Sequence, residues 1–327
     1  MHPLSLITST NLVLLFHEVS SKDWFRTALK TIGKIYSFIS INDIEKYYYR
    51  NKTFNNCCHI CFDDGDRSFY DNVFPVLKET SIPATIFLSP KIIENGSNYW
   101  FQELNYIREH LGDKLLKETI SEVLSCHYSQ IKKFAVFSLL NCMKLEDILK
   151  VIEAIKEKFN ININKRYNIT KNQLAELNKS ELITIAAHTL NHPILSNETY
   201  SDSRMEISDS VKKLFGMIKK DVKHFAYPNG ITGLDYGTRE QLILRENRIK
   251  LAFTTDKGFF NKKINPFSIP RGALSGVARE NNALILSRII LLPIWDTIRD
   301  LVRFNRVRTE EDERKKIKRL CIQTIGG

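Results

Sequence analysis

The chain has 327 residues, 43% of them apolar and 26% charged, with 13 glycines and 9 prolines. That balance excludes a disordered polypeptide and is enough to bury a core in one large domain or two smaller ones. The net charge of +11 gathers largely toward the C-terminus. No basic patch interleaved with aromatics accompanies it, so nucleic-acid binding is not expected.

Six cysteines stand at positions 57, 58, 61, 126, 142 and 321. Cys58-x-x-Cys61 has the spacing of a redox or zinc pair, but it lies within an apolar run and has no second pair. It reads as buried strand thiols and suggests a reducing compartment. Residues 4–16 are apolar but interrupted by Ser5, Thr8, Ser9, Thr10 and Asn11, with no Lys or Arg before them. This is a poor export signal and too short to span a bilayer, so a cytoplasmic protein is expected.

In chain order, residues 12–16 form a fully apolar strand that delivers His17 and Glu18 at its end. Residues 23–36 carry Trp24, Leu29, Ile32 and Ile35 at helical spacing. A short strand at 38–39 follows, then a helix from a cap at Ser40 through 48. Residues 57–62 read as a buried strand, 70–80 as a helix and 84–88 as a strand. Strand alternating with helix predicts a parallel α/β architecture. From 99 to about 159 strands vanish. Leu145, Ile148, Leu149, Ile152, Ile155 and Phe159 mark one amphipathic helix among two or three. The α/β rhythm then resumes, which makes this stretch an insertion. Thr170-x-x-Gln173 has the pattern of a capping box for a helix to about 177. Strands follow at 182–187, 224–227 and 251–254, and a helix at 200–218.

Two constellations carry chemistry. The first is His59-Ile60-Cys61-Phe62-Asp63-Asp64-Gly65, an apolar strand ending in adjacent carboxylates and a residue suited to a turn. Neighbouring carboxylates repel, and a bound cation would let one ligate while the other stays free as a base. Taken alone the triplet also fits an acidic surface turn. The second is His188-Thr189-Leu190-Asn191-His192-Pro193, directly after an apolar strand. In a parallel sheet strand ends gather on one face, where α/β sites lie. Two histidines and one aspartate leave a coordination position for water, which is the catalytic rather than the structural zinc pattern.

Together with Phe225-Ala226-Tyr227-Pro228-Asn229-Gly230, Phe74-Pro75-Val76-Leu77 and Pro83-Ala84-Thr85-Ile86-Phe87, these motifs resemble the polysaccharide deacetylase family (carbohydrate esterase family 4, NodB homology) over roughly residues 10–272. The resemblance implies an α/β fold, a distorted (β/α) barrel of the NodB-homology type, over residues 1–280. The helical insertion at about 99–180 would lie inside it. It implies a hydrolase that removes acetyl groups from acetylated amino sugars with one divalent metal ion, zinc by the ligand set. Asp63 would be the general base, and Asp64, His188 and His192 the metal ligands. The Asn229 backbone amide would be the oxyanion donor, and Tyr227 would contact substrate.

Three departures accompany the resemblance. The family's third motif has an arginine where this chain has Ala226, and an aromatic where it has Asn229. That arginine orients the base; Arg271, in Ile269-Pro270-Arg271-Gly272, is the candidate replacement, the alternative being a surface loop arginine. The family's usual C-terminal acid histidine is also missing, since none follows His224. A circularly permuted branch takes this acid from an N-terminal strand. Leu15-Phe16-His17-Glu18-Val19 resembles that strand, so His17 reads either as the acid or as a core histidine.

Beyond the resemblance, residues 281–327 form an amphipathic extension flanked by Arg288, Arg299, Arg303, Arg306 and Arg308. It reads either as a peripheral membrane contact through 281–308 or as a stripe packed on the protein. The expected substrate is a lipid- or nucleotide-linked precursor of a surface polysaccharide or glycolipid, met at the inner face of the membrane. The alternatives are a catalytically impaired carbohydrate-binding or scaffold protein, and a hydrolase of a non-sugar amide.

Overall fold

Four apolar runs set the frame. β1 (Leu12–Phe16), β3 (Cys57–Phe62) and β4 (Ala84–Leu88) are buried at every position, and β5 (Ile183–Ala187) at all but one. Strands buried on both faces are what a parallel sheet covered by helices requires. A computed structural model describes residues 10–274 and 310–325. The basic stretch 281–308 lies outside them.

The described residues form an eight-stranded sheet. Its main path runs β7 (Leu251–Phe253), β6 (His224–Ala226), β5, β4, β3, β1 and β8 (Gly272–Ala273), and β2 (Ser37–Phe38) pairs with β3 off that path. All the strand pairs are parallel. The sheet curls until one segment meets both edges: Ile269 bridges to Phe253 of β7, while Gly272 and Ala273 pair with β1. This is the distorted barrel the resemblance implies.

Alternation along the strands separates two apolar layers. Leu12, Leu14, Phe16, Cys58, Ile60 and Phe62 face the surrounding helices. Val13, Leu15, Cys61, Phe87, Ala186, Ala226, Leu251 and Phe253 face the barrel interior. Cys58 and Cys61 therefore lie on opposite faces of one strand, as separate buried thiols.

The outer layer includes α1 (Lys22–Ile32), α3 (Phe74–Thr80), α9 (Lys171–Lys179), α10 (Tyr200–Ile218) and α11 (Thr238–Glu246). Local chemistry sets several ends. Ser21 caps α1, Gly33 ends it short of the expected residue 36, and capping boxes at Ser40 and Thr170 start α2 (Ile41–Tyr49) and α9. Two helices carried no clear signal in the sequence: α11, and α4 (Pro90–Asn95), which begins on a proline and ends on left-handed Gly96.

The insertion comprises α5 (Trp100–Val123), α6 (Tyr128–Ile131), α7 (Val136–Leu140) and α8 (Leu145–Lys158), rather than two or three helices. Gly112, at φ 74° and ψ 166°, interrupts α5. The helices enclose a separate core of Trp100, Leu104, Ile107, Leu140, Ile148 and Ile152, among others, which also takes in Ile317 of α12 (Glu310–Ile325). α12 thus packs on the insertion.

Gly65 is a fixed point of this frame. Its φ is +74°, and a Cβ would sit 2.5 Å from Cδ2 of fully buried Leu88. Gly65→Ala should therefore cost about 1–3 kcal/mol through backbone strain and overpacking. Urea denaturation of the two proteins measures this, and an unchanged midpoint would show that Leu88 yields freely.

Candidate active site

The C-terminal ends of β1, β3, β5 and β6 bring His17, the Asp63–Asp64 pair, His188 with His192, and Asn229 to one cavity of about 450 Å³. These are widely separated sequence expectations, and the parallel sheet unites them.

Asp63 follows Phe62 and so points into the barrel interior by alternation, like Cys61. There it meets Arg271, whose Nη1 and Nη2 donate to Oδ1 and Oδ2 at 2.8 Å each. The guanidinium also donates from Nε to the Thr254 carbonyl at 2.7 Å, and its side chain has no exposed surface. Burial works against the Asp63 carboxylate, but Arg271 outweighs it and holds its pKa below the ordinary range. Arg271 is therefore no surface loop residue.

Asp64 lies one step on, at φ 69°. Its Oδ1 is buried with no hydrogen-bond partner, 3.5 Å from His188 Nε2 and 3.3 Å from His192 Nε2. The ligand-type atoms of the three residues all lie within 4.8 Å of one another. His188 Nδ1 sits 2.7 Å from the Ala226 carbonyl, a contact that needs a proton on Nδ1 and leaves the Nε2 lone pair facing Asp64. Burial pulls His192 down to about 4, which keeps its ring neutral. Burial also works against a charged His188, but Asp63 and Asp64 outweigh it and the net shift is upward. Since Arg271 already neutralises Asp63, the remaining carboxylate and two imidazoles form a nitrogen–oxygen set of net negative charge. Such a set fits a divalent cation.

The profile of the polysaccharide deacetylase family matches residues 50–124 and 137–242. The chain belongs to the polysaccharide deacetylase family. It is similar to the poly-beta-1,6-N-acetyl-D-glucosamine N-deacetylase of Staphylococcus aureus, at 21% identity over 244 residues, which is 75% of this chain and 63% of that protein. The Staphylococcus epidermidis protein of the same name is 36% identical over 78 residues, 24% of this chain and 26% of that one. Among solved structures, the fold is similar to the Streptococcus pyogenes deacetylase PplD (TM-score 0.58, 17% identity, 85% of this chain and 97% of that one). It is also similar to IcaB from Ammonifex degensii (TM-score 0.57, 16% identity, 85% and 97%).

Against the polysaccharide deacetylase pattern, the third motif is rebuilt. Ala226 packs in the barrel interior and the guanidinium arrives on Arg271 instead. Asn229 has φ 57°, lines the cavity, and its N–H meets no backbone carbonyl among the described residues. Tyr227, expected to contact substrate, is buried: its hydroxyl donates to the Phe267 carbonyl and its ring stacks on Tyr236 at 3.5 Å. It is a core residue and does not line the cavity. His17 is a rim residue rather than a core one. Its side chain is 55% exposed, with Nε2 3.9 Å from Asp64 Oδ2.

Several supporting residues escaped the sequence reading. Glu206 of α10 is buried and accepts hydrogen bonds from the Leu190 and Asn191 amides at 2.9 Å and from Asn191 Nδ2 at 2.7 Å, bracing the histidine loop. An acid on the same helix face as Ile207, Ser210 and Leu214 was the available signal. Tyr99 donates to the Asp64 carbonyl at 2.8 Å and packs edge-on against His192. Trp100 Nε1 donates to the His192 carbonyl at 3.3 Å, and Trp100, Phe101 and Phe137 form an aromatic wall. The run Tyr99-Trp100-Phe101 at the start of the insertion could have marked that wall.

Arg271→Met should strand Asp63 as an uncompensated buried charge and cost about 3–5 kcal/mol of stability. Arg271→Lys, with one contact point instead of a fork, should lose less. Denaturant titration of both variants tests the order, and equal stability of Arg271→Met and the parent would overturn the account.

Proposed function

We propose that this protein is a metal-dependent hydrolase that removes the acetyl group from an N-acetylated amino sugar. The observation that carries the reading is the buried Asp64 Oδ1, unpartnered between two imidazole Nε2 atoms, beside a second carboxylate held by a buried arginine. The Staphylococcus relatives named for N-deacetylation of an N-acetylglucosamine polymer support the substrate class. The chain spans 63% of the length of the Staphylococcus aureus protein, so activity on a polymer is itself part of the proposal.

Asp64, His188 and His192 would hold the ion, with zinc favoured by two nitrogens and one oxygen. When bound, such an ion supplies Lewis acidity that makes water more acidic and an amide carbonyl more electrophilic. Asp63 takes the proton that water loses as the new C–O bond forms. Arg271 fixes both Asp63 oxygens, so the carboxylate cannot swing onto the ligand set. The Asn229 N–H would donate to the oxygen that gains charge. As the C–N bond breaks, the electron pair stays on nitrogen. His17 gives a proton to that nitrogen, so that the amine departs neutral, and the acetic acid formed passes its remaining proton to solvent to leave as acetate. His17, directly after β1, would thus serve in place of a C-terminal histidine, as in the permuted branch.

Asp63→Asn should keep the metal and lower hydrolysis of N-acetylglucosamine oligomers about 10²–10⁴-fold, the usual range for a general base. His188→Ala with His192→Ala should instead lose the ion, read by elemental analysis of the purified protein. Metal retained in that double variant would sink the site. Near-full turnover by Asp63→Asn would require another base.

The role of His17 has its own test. His17→Ala should depress release of acetate from an N-acetyl substrate far more than from an aryl acetate, whose leaving group needs no proton. Equal losses on both substrates together with a lower melting temperature would make His17 structural.

A further inference from the structure

Glu206 is a buried acid without a counter-charge. It stands among the buried residues of α10, with Ser203, Ile207 and Ser210, and only 5% of its surface is exposed. Among the described residues no lysine, arginine or histidine pairs with it, and the nearby charge of Glu198 has the same sign. Other buried acids of the fold differ in this. Glu240 takes Arg239 Nε at 2.6 Å, and Asp63 takes the Arg271 fork.

N–H groups alone hold the Glu206 carboxylate. The Leu190 and Asn191 amides donate to Oε2, and Asn191 Nδ2 donates to Oε1. Thr189, at φ 61°, precedes this run, and the next amide, that of His192, turns to Thr189 Oγ1 at 3.0 Å. Successive backbone N–H groups beside a left-handed residue form a concavity suited to an anion. These bonds favour the charged form, yet burial outweighs them and raises the Glu206 pKa above its ordinary value. A carboxylate so placed stays costly until a cation comes near.

The loop wrapped around this charge is the one that carries both imidazoles. Leu190 and Asn191 lie between His188 and His192, whose Nε2 atoms face Asp64. Arg271 cancels Asp63, and imidazoles are neutral as ligands. Asp64 by itself therefore leaves a divalent ion short of one negative charge, and the nearest acid behind the loop is Glu206.

We propose that Glu206 acts on the metal from outside the ligand set: together with Asp64 it completes the two negative charges that match a divalent ion, and so strengthens its binding. This rests on the metal-site reading above. Glu206 is a positioning residue, reaching the ion only through the histidine loop.

The test is the zinc affinity of the full-length chain, stripped with a chelator and titrated in competition with a chromophoric one. Glu206→Gln removes the charge while the contacts can persist: Oε1 takes both backbone N–H groups, and the Asn191 amide reverses to accept from Nε2. Zinc affinity should fall about tenfold or more. Melting temperature separates charge from bracing. Without zinc the glutamine chain should melt with the parent or above it, because the unmatched charge is gone. With zinc it should melt below the parent, because less binding energy is added. Unchanged zinc affinity overturns the proposal. Melting lowered equally with and without zinc would make Glu206 a brace only. Should the glutamine chain not fold, Glu206→Asp decides: the charge remains, so affinity should stay within about threefold of the parent, and a loss of about tenfold would overturn the proposal. Zinc bound undiminished by His188→Ala with His192→Ala would instead refute the metal-site reading, and this proposal with it.

Discussion

A charge pair inside a barrel is expensive, and the Arg271–Asp63 fork is the constraint on which this structure turns. Removing two ions from water costs several kcal/mol each, which only near-ideal geometry and further hydrogen bonds offset. Both are present: parallel contacts of 2.8 Å and the Thr254 carbonyl at 2.7 Å on Nε. The interior must also leave room for a guanidinium. Cys61, Ala186 and Ala226 keep it small there, and the Phe87 ring lies 5.7 Å from the guanidinium carbon. The segment that carries Arg271 is the one that draws the sheet edges together. Closing the barrel and setting the base are therefore one structural event.

Four residues around the chemistry hold strained backbone conformations. Asp64, Thr189, His192 and Asn229 all have positive φ, though none is glycine. Such conformations persist only where the surroundings over-determine them. Tyr99 does this for Asp64, Ser89 Oγ holds the His188 carbonyl at 2.7 Å, and Glu206 holds the loop between the histidines. The insertion thus contributes to the ligand set without supplying a ligand: its first residues pin both Asp64 and His192 from the side.

How much of this was legible in the sequence follows the range of the interactions. β1, β3 and β4 could be read to the residue, because a strand buried on both faces is a continuous apolar run. Asp63, Asp64, His188 and His192 were legible as strand-end residues, and parallel pairing brought them together. The details of helix starts were not. The helix expected at 70–80 begins with a wider π turn at Phe69–Val73, a local adjustment that apolar spacing does not encode. Arg271 and His17 were visible as candidates with alternatives, since only tertiary contact separates a buried guanidinium from a loop arginine. Tyr227 misled because it sits in a motif: alternation from Phe225 places it among the outward-facing core residues. Glu206 lies far from every motif, and its role exists only through contacts across the fold.

The docking of α12 bears on the order in which the molecule becomes complete. A polypeptide is made from its N-terminus, and domains fold as they emerge. Barrel strands and the insertion precede α12, yet Ile317 fills the insertion's core and Arg314 pairs with Asp235 beside the cavity. A nascent chain can thus align its carboxylates and imidazoles while one side of the cleft still stands open to water. Synthesis of α12 then closes that side, so completion of the cleft trails assembly of the reactive groups.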